Sequence, residues 1–250
     1  MRLAIVTAHA GADSLKAAVH SWLQYPPLPD EAFDVSMNSV SEIMTKPPVF
    51  IINGKHGMMD CYEVGFRRYK EDILSFFHDD LIIHDKNWLE RVLLEFENPS
   101  VGLVGFGGAT RHGSPSLYKE PYDYHQLGRS NFLSNMDDAE NHGKRFTGSC
   151  DVAVLDGFAL IVRREVLQLA GGWPLNTPIN YINYDYWLSC ITRRLGYRIR
   201  LVGVACNHLG GRTYVKLGIG DKPDHWTKYL TAHEYIYSEF KDVLPFEVGQ

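Results

Sequence analysis

The sequence contains few cysteines, and they follow no pairing pattern. Its four cysteines, Cys61, Cys150, Cys190 and Cys206, are widely spaced and form no Cys-x-x-Cys motif. A structural zinc site and a disulfide framework are therefore unexpected, and reduced buried thiols are the default expectation.

Long apolar runs are also absent. No segment approaches the roughly 20 apolar residues that a membrane span needs, and the apolar start from Met1 to Val6 is too short for a signal peptide. We expect a cytoplasmic protein, with peripheral attachment at the inner face of a membrane as an option by analogy.

There is no excess of basic charge. The formal net charge is −5 and the pI is about 6.1. A general nucleic-acid coating function is disfavoured, because phosphate-dominated binding usually needs a basic surface.

The sequence does contain an alternation of short apolar runs with amphipathic stretches, which is typical of an α/β fold with a mostly parallel sheet. The hydrophobic content of 45% over 250 residues can fill the core of one large domain. We expect this domain over residues 1–220, with a nucleotide-binding half (1–108) and an acceptor and catalytic half (109–220). A helical C-terminal extension is expected over 221–250.

The apolar patterns predict individual elements of this domain. Strands are predicted at 3–6, 33–37, 49–52, 73–77, 101–106, 152–155, 158–162 and 197–201. Helices are predicted at 15–23, 39–44, 61–70, 87–96, 164–170 and 185–195. Little periodicity exists between 109 and 150, which predicts a long substrate-facing loop.

The strongest chemical signal is the sequence His78-Asp79-Asp80 directly after the predicted strand at 73–77. Open α/β sheets bind ligands at the carboxyl ends of their strands. Carboxylates there suit Mg²⁺ or Mn²⁺, which bind protein acids together with phosphate oxygens. The alternative is that both acids cap the next turn or are simply solvated.

Further motifs follow in a fixed order. They are Asp156-Gly157 between two apolar runs, Gly171-Gly172-Trp173, Tyr184-Asp185 at a helix start, and His208 after a strand. Together with the N-terminal strand and the acidic motif, this set resembles the inverting GT-A glycosyltransferases of family 2, over Leu3 to Gly211. The resemblance implies a Rossmann-like, mostly parallel sheet flanked by helices. It also implies metal-dependent sugar transfer with inversion.

The resemblance assigns roles to individual residues. Asp80 is similar to the metal-binding acid of the family, Asp79 to its neighbour near the ribose or the waters of the metal, and His208 to the late histidine that completes the metal shell. The usual first acid of the motif is replaced by His78. For His208, the alternative is a partly buried histidine hydrogen-bonded to backbone.

Asp185 resembles the catalytic base of the family. Inversion requires a base that takes the proton of the acceptor hydroxyl as its oxygen attacks the anomeric carbon. The common pattern is Glu-Asp, whereas this chain has Tyr184-Asp185. A helix cap at Asp185 is the rival explanation, and the two roles are compatible.

The nucleotide-sugar site is expected among polar residues that follow the first strands. These candidates are Thr7, His9, Asn38, Asn53 and Gly57, with Asp156 as a further ligand of the donor sugar. Ordinary turn chemistry is the alternative for each. An acceptor platform of Trp173, Tyr181, Tyr184 and Tyr186 is a further expectation, with core packing as its alternative.

The expected partners are a nucleotide-diphosphate sugar, with a UDP-sugar favoured, and a glycan or other hydroxyl acceptor; the acidic pI disfavours a DNA acceptor. A nucleotidyltransferase is the competing enzyme class, but the first turn, Thr7-Ala8-His9-Ala10-Gly11, lacks a glycine-rich phosphate loop. The other alternative is a non-catalytic nucleotide-sugar or carbohydrate-binding protein of the same fold, which the missing acids at His78 and Tyr184 would explain.

Overall fold

The structure is a computed structural model that describes residues 1–9, 12–23, 41–43, 49–53, 57–113, 131–179, 182–209 and 225–249. The helices in these ranges are α1 Ala12–Leu23, α2 Met58–Arg68, α3 Trp88–Phe96, α4 Ala139–His142, α5 Arg164–Ala170, α6 Tyr184–Arg194 and α7 His225–Phe240. None of them combines the length and the apolar character that spanning a membrane requires.

The strands of the same ranges are short except at the centre. They are β1 Leu3–His9, β2 Ser41–Ile43, β3 Val49–Asn53, β4 Ile73–His78, β5 Leu81–Ile83, β6 Val101–Gly105, β7 Gly107–Ala109, β8 Arg111–His112, β9 Phe132–Ser134, β10 Lys144–Arg145, β11 Ser149–Asp151, β12 Val154–Leu155, β13 Ala159–Arg163, β14 Arg198–Val202, β15 Cys206–His208 and β16 Phe246–Glu247.

A central sheet has the strand order β11-β14-β6-β13-β4-β1-β3-β2 in the described part of the chain. β1 is parallel to β3 and β4, and β14 is parallel to β6. β2, β11 and β13 run antiparallel to their neighbours. Five of these eight strands therefore share one direction, and the α/β class predicted from the sequence is confirmed.

β4 lies in the middle of this sheet, and all of its residues before His78 are buried. A continuous apolar run is expected for a strand that is covered on both faces. The ring of Phe77 contacts the rings of Trp22 at 5.3 Å, Trp88 at 5.6 Å and Phe106 at 5.9 Å between centroids. This aromatic cluster fixes the strand that leads into the acidic motif.

α1 also holds β5, the short strand that follows the acidic motif. The indole Nε1–H of Trp22 donates to the carbonyl of Leu81 at 2.8 Å, and the amide of Ile83 donates to Oγ of Ser21 at 3.0 Å. Buried backbone groups need such partners. Side chains of α1 therefore satisfy two backbone groups of β5.

Two predictions of secondary structure were wrong. The helix predicted at 39–44 is replaced by the strand β2, which pairs antiparallel with β3, because sheet pairing decides the state of so short a segment. The loop predicted between 109 and 150 contains strands of two or three residues, and two of them, β9 and β10, join β7 and β12 in a second sheet of the order β10-β9-β7-β12. Such strands are too short to show an alternating pattern. The strand predicted at 33–37 lies outside the described residues.

Close packing of α2 on β1 yields a prediction about stability. A Cβ added at Gly65 would lie 2.5 Å from Cγ1 of Val6, which is too close for an unchanged backbone. We expect Gly65→Ala to lower the free energy of unfolding by about 1–3 kcal/mol in denaturant titrations, although alanine has the better helix propensity. Val64→Ala, at the exposed neighbouring position, is the control and should change it by less than about 0.5 kcal/mol. Equal effects of the two variants would contradict this packing argument.

Candidate active site

The carboxyl ends of β1, β3 and β4 meet at one edge of the sheet. His9 is opposite Asn53 in the β1–β3 register, and Ala8 is opposite His78 in the β1–β4 register. The sequence prediction that the polar residues after these strands share an edge is confirmed for His9, Asn53 and the acidic motif at the level of the backbone.

The late histidine reaches the acidic motif through a strand pairing. β15 runs antiparallel to β5, and His208 is opposite Leu81. The amide of Leu209 also donates to the carbonyl of Asp80 at 3.3 Å. This register places the side chain of His208 beside that of Asp80.

Three side chains form a cluster of possible metal ligands. Nε2 of His208 lies 3.3 Å from Oδ1 of Asp80 and 3.2 Å from Nδ1 of His78. One ligand atom from each of the three residues lies within 4.8 Å of the others. Two imidazoles and one carboxylate are a donor set that suits a divalent transition metal.

The charges within this cluster are complementary. Burial alone raises the pKa of Asp80, but the hydrogen bond and charge of His208 outweigh burial and lower that pKa. Burial lowers the pKa of His208, and Asp80 in turn outweighs it and raises the pKa. Burial, reinforced by the charge of His208, lowers the pKa of His78 to about 4. His78 is therefore neutral at physiological pH and has a lone pair available.

Phe158, the residue before β13, contacts both histidines. The amide of His78 donates to the carbonyl of Phe158 at 3.1 Å, and the ring of Phe158 stacks on that of His208 at 4.9 Å between centroids. Asp79 is buried beside this cluster, with 8% of its surface exposed. Neither acid of the motif is simply solvated.

Tyr184, the first residue of α6, contacts the cluster directly. Its hydroxyl lies 2.5 Å from Nε2 of His78. The ring is buried and also packs against Tyr62. Burial, followed by the neighbouring charges, raises the pKa of Tyr184 well above its usual value, so the hydroxyl stays protonated.

Asp185 follows in the first turn of α6. The helix cap is Asn183, which has a φ of 62° and whose side-chain amide lies 2.7 Å from Nδ1 of His233 in α7. Asp185 accepts a hydrogen bond from the amide of Tyr186 at 2.9 Å. Asp185 therefore interacts with the helix N-terminus without being the cap itself.

The surroundings of Asp185 disfavour its ionised form. Burial is the main cause that raises its pKa to about 7, and the charge of Asp156 adds to it, against the backbone amides that lower it. The side chain still keeps some exposure to solvent. General bases are effective when their pKa lies near the working pH.

Asp156 links the two parts of the site. Its amide donates to the carbonyl of Gly107 at 2.9 Å, directly after β12, and its Oδ1 accepts from the amide of Phe158 at 3.3 Å. Its charge raises the pKa of Asp185 and also acts on His78 and His208. Asp156 therefore lies near enough to both the metal-ligand cluster and Asp185 for its charge to act on each.

The remaining predicted donor residues have different outcomes. Gly57 directly precedes α2 with a φ of 97°, a conformation that favours glycine. Thr7 does not follow the first strand, because β1 continues to His9; its side chain is fully buried and its hydroxyl bonds to the carbonyl of Ala8. Asn38 lies outside the described residues.

The predicted aromatic platform is part of the core. Trp173, Tyr184 and Tyr186 are all at least 94% buried, because each packs against the sheet or another helix, whereas Tyr181 lies outside the described residues. Sequence reasoning also missed Glu63, whose buried carboxylate accepts a hydrogen bond from the amide of Trp173 at 2.9 Å. The feature of the sequence that could have indicated its burial is its position in α2, one helical turn from apolar residues.

Comparison with known proteins adds to this geometry. Residues 43–208 match the family described as "Glycosyltransferase like family", which is more than half of the chain. No curated protein matches the sequence.

Two solved structures illustrate the likeness in fold. The mannosyltransferase PcManGT from Pyrobaculum calidifontis, solved with GDP-Man and Mn²⁺, has a TM-score of 0.52 at 14% identity, over 95% of this chain and 70% of that one. GalNAc-T7, solved with UDP, GalNAc and Mn²⁺, has a TM-score of 0.58 at 12% identity, over 96% of this chain and 50% of that one. The chain thus spans about half the length of GalNAc-T7. By its fold and its family match, the chain belongs to the glycosyltransferase-like family and folds as a GT-A α/β protein.

Proposed function

We propose that this protein is an inverting glycosyltransferase that moves a sugar from a nucleotide-diphosphate donor to a hydroxyl group of an acceptor. The observation that carries the proposal is the cluster of His78, Asp80 and His208, which contacts Tyr184, the residue directly before Asp185. A metal-ligand set and a carboxyl of raised pKa at the carboxyl edge of an α/β sheet are typical of a catalytic site.

We place a divalent cation on Asp80 and His208, as the family resemblance implies, with His78 as the third ligand. The donor set fits such an ion because the three ligand atoms converge. When bound, a cation there would neutralise charge on the departing diphosphate. Two imidazoles disfavour Mg²⁺, which prefers oxygen ligands, so Mn²⁺ is the expected ion.

Asp185 is the proposed base. Its carboxylate takes the proton of the acceptor hydroxyl while the acceptor oxygen bonds to the anomeric carbon. The bond between that carbon and the diphosphate oxygen breaks, and the nucleoside diphosphate leaves from the opposite face. Asp156 raises the basicity of Asp185 through its own charge.

The donor is proposed to lie along the sheet edge, over His9, Asn53 and Gly57, and Asn38 is kept as a candidate from the sequence alone. Asp79 is assigned to the ribose and Asp156 to the donor sugar. Thr7 lies beneath this edge and its buried side chain supports the strand rather than the donor. The two structural neighbours were solved with GDP-Man and with UDP. A UDP-sugar remains the first donor to test, with a glycan as the acceptor and DNA as a disfavoured one.

The first prediction from this proposal concerns binding of the donor nucleotide and the metal together. We expect one of four nucleotides to raise the melting temperature of the protein when Mn²⁺ is present: UDP, GDP, CDP or dTDP. The rise should be smaller with Mg²⁺. A ligand at 100 times its Kd stabilises by about 2.7 kcal/mol. Asp80→Ala and His208→Ala should abolish this shift, whereas Glu97→Ala, at the exposed position directly after α3, should retain it.

The same melting curves, together with assays of sugar transfer and of the reaction with pyrophosphate, separate the alternatives. No shift with any of the four nucleotides would sink the proposed donor site. A metal-dependent shift without sugar transfer to any acceptor would favour a non-catalytic binding protein. Cleavage of a nucleotide sugar by pyrophosphate, which yields a nucleoside triphosphate and a sugar 1-phosphate, would indicate a nucleotidyltransferase.

The second prediction concerns Asp185→Asn. We expect a loss of transfer of about 10²–10⁴-fold, the usual contribution of a general base, while the nucleotide-induced shift in melting temperature is unchanged. Measured transfer kinetics and melting curves check the two parts. Full activity of the variant would show that another group is the base.

The third prediction is a pH dependence with a matching effect on stability. Because the pKa of Asp185 is about 7, kcat/KM should rise about tenfold per pH unit below 7 and level off above it. Because its pKa is raised above the ordinary value of 3.8, Asp185 makes the fold less stable as the pH rises from about 4 to 7, where the unfolded chain has lost the proton that the folded protein keeps. Asp185→Asn should therefore raise the free energy of unfolding at pH 8, by at most about 4 kcal/mol, and leave it unchanged near pH 4. A stabilisation that did not depend on pH would contradict this assignment.

A further inference from the structure

The two departures from the family pattern are in direct contact. His78 stands where the family has the first acid of its motif, and Tyr184 stands where the family has a glutamate. The hydroxyl of Tyr184 lies 2.5 Å from Nε2 of His78, although 106 positions separate the two residues. A contact this short between two unusual residues suggests that each depends on the other.

We infer that Tyr184 is a positioning residue that turns His78 into a metal ligand, an inference that rests on the metal site proposed above. The hydroxyl of Tyr184 accepts a hydrogen bond from Nε2–H of His78. The lone pair on Nδ1 of His78 then points towards Asp80 and His208. Tyr184 thus fixes both the tautomer and the orientation of the third ligand.

The tautomer follows from the partners of His208. Its Nε2 lies 3.3 Å from a carboxylate oxygen of Asp80, which can only accept, so Nε2 carries a hydrogen before a metal binds and releases it when a metal takes its place. The same Nε2 lies 3.2 Å from Nδ1 of His78. Two N–H groups cannot face each other, so Nδ1 of His78 has no hydrogen. A neutral imidazole carries its one hydrogen on the other nitrogen, which is the nitrogen that Tyr184 contacts.

This arrangement is the one that a metal-binding histidine needs. A histidine that binds a metal through one nitrogen usually donates from the other to an oxygen that orients the ring. Nδ1 of His78 lies on the side of the other two ligands, and Nε2 lies on the side of Tyr184.

The position of Tyr184 is itself determined by its surroundings. Its backbone follows Asn183, whose side-chain amide contacts His233, and its ring packs at 6.0 Å from that of Tyr62. A Cβ at Gly157 would lie only 2.3 Å from the hydroxyl oxygen of Tyr184. The φ of Gly157 is outside the left-handed region, so the backbone there tolerates alanine. The steric conflict of an alanine side chain is with the hydroxyl of Tyr184.

The test is the affinity of the purified full chain for Mn²⁺, measured from the free-ion signal in electron paramagnetic resonance. Tyr184→Phe keeps the ring and removes the hydroxyl, and we expect it to weaken Mn²⁺ binding about 10–100-fold, as loss of such a partner usually does. Gly157→Ala should weaken binding in the same direction by displacing the hydroxyl. Tyr62→Phe is the matched control, because the hydroxyl of Tyr62 is buried with no hydrogen-bond partner in the described part of the chain. It should keep the wild-type affinity.

A double-mutant cycle separates positioning of His78 from a general effect on the fold. If Tyr184 acts through His78, adding Tyr184→Phe to His78→Ala causes no further loss of Mn²⁺ affinity. An equal loss in the two backgrounds, or wild-type affinity of Tyr184→Phe, would overturn the inference and leave the metal site standing. Absence of Mn²⁺ binding by the wild type would instead overturn the metal site, and this inference with it.

Discussion

The candidate site depends on the pairing of β15 with β5. This pairing places His208 beside Asp80 and within 3.2 Å of His78, which is 130 positions earlier in the chain. A shift of one residue in a strand turns each side chain to the opposite face, so the register decides whether a ligand cluster exists. Trp22 and Ser21 of α1 hold β5 from its other side. The aromatic cluster under β4 therefore stabilises the geometry of the site as well as the core.

Charge is the second constraint. Asp80 shares its environment with His208, and the two groups stabilise each other in their charged forms. Asp185 has no cationic partner among the causes that shift its pKa, and burial and Asp156 disfavour its ionisation. A carboxyl group whose ionisation is disfavoured in the folded state lowers stability at neutral pH but suits proton transfer there. The charges of Asp80 and His208 therefore compensate each other, whereas the charge of Asp185 is not compensated in this way.

The unusual residues of the site become understandable as a pair. Read from the sequence, His78 and Tyr184 are two missing acids, and they favour a protein that has lost its chemistry. In the structure they contact each other, and one of them joins Asp80 and His208. Imidazole and carboxylate are both common metal ligands. The proposed site thus replaces a family acid with a histidine and supplies that histidine with its own orienting partner.

The amino-acid sequence by itself determined the α/β class, the central strand β4 with its acidic motif, and the helices α2, α3, α5 and α6. These elements have long or strongly periodic apolar patterns, and such patterns follow directly from local burial. Sequence order also identified Asp80, Asp185 and His208 as candidates. Tertiary structure alone decided that 41–43 is a strand and that short strands lie between 107 and 151, because pairing with distant segments stabilises them. Tertiary structure also decided the contact of Tyr184 with His78 and the raised pKa of Asp185, since both arise from groups that are far apart in the chain and meet only in the fold.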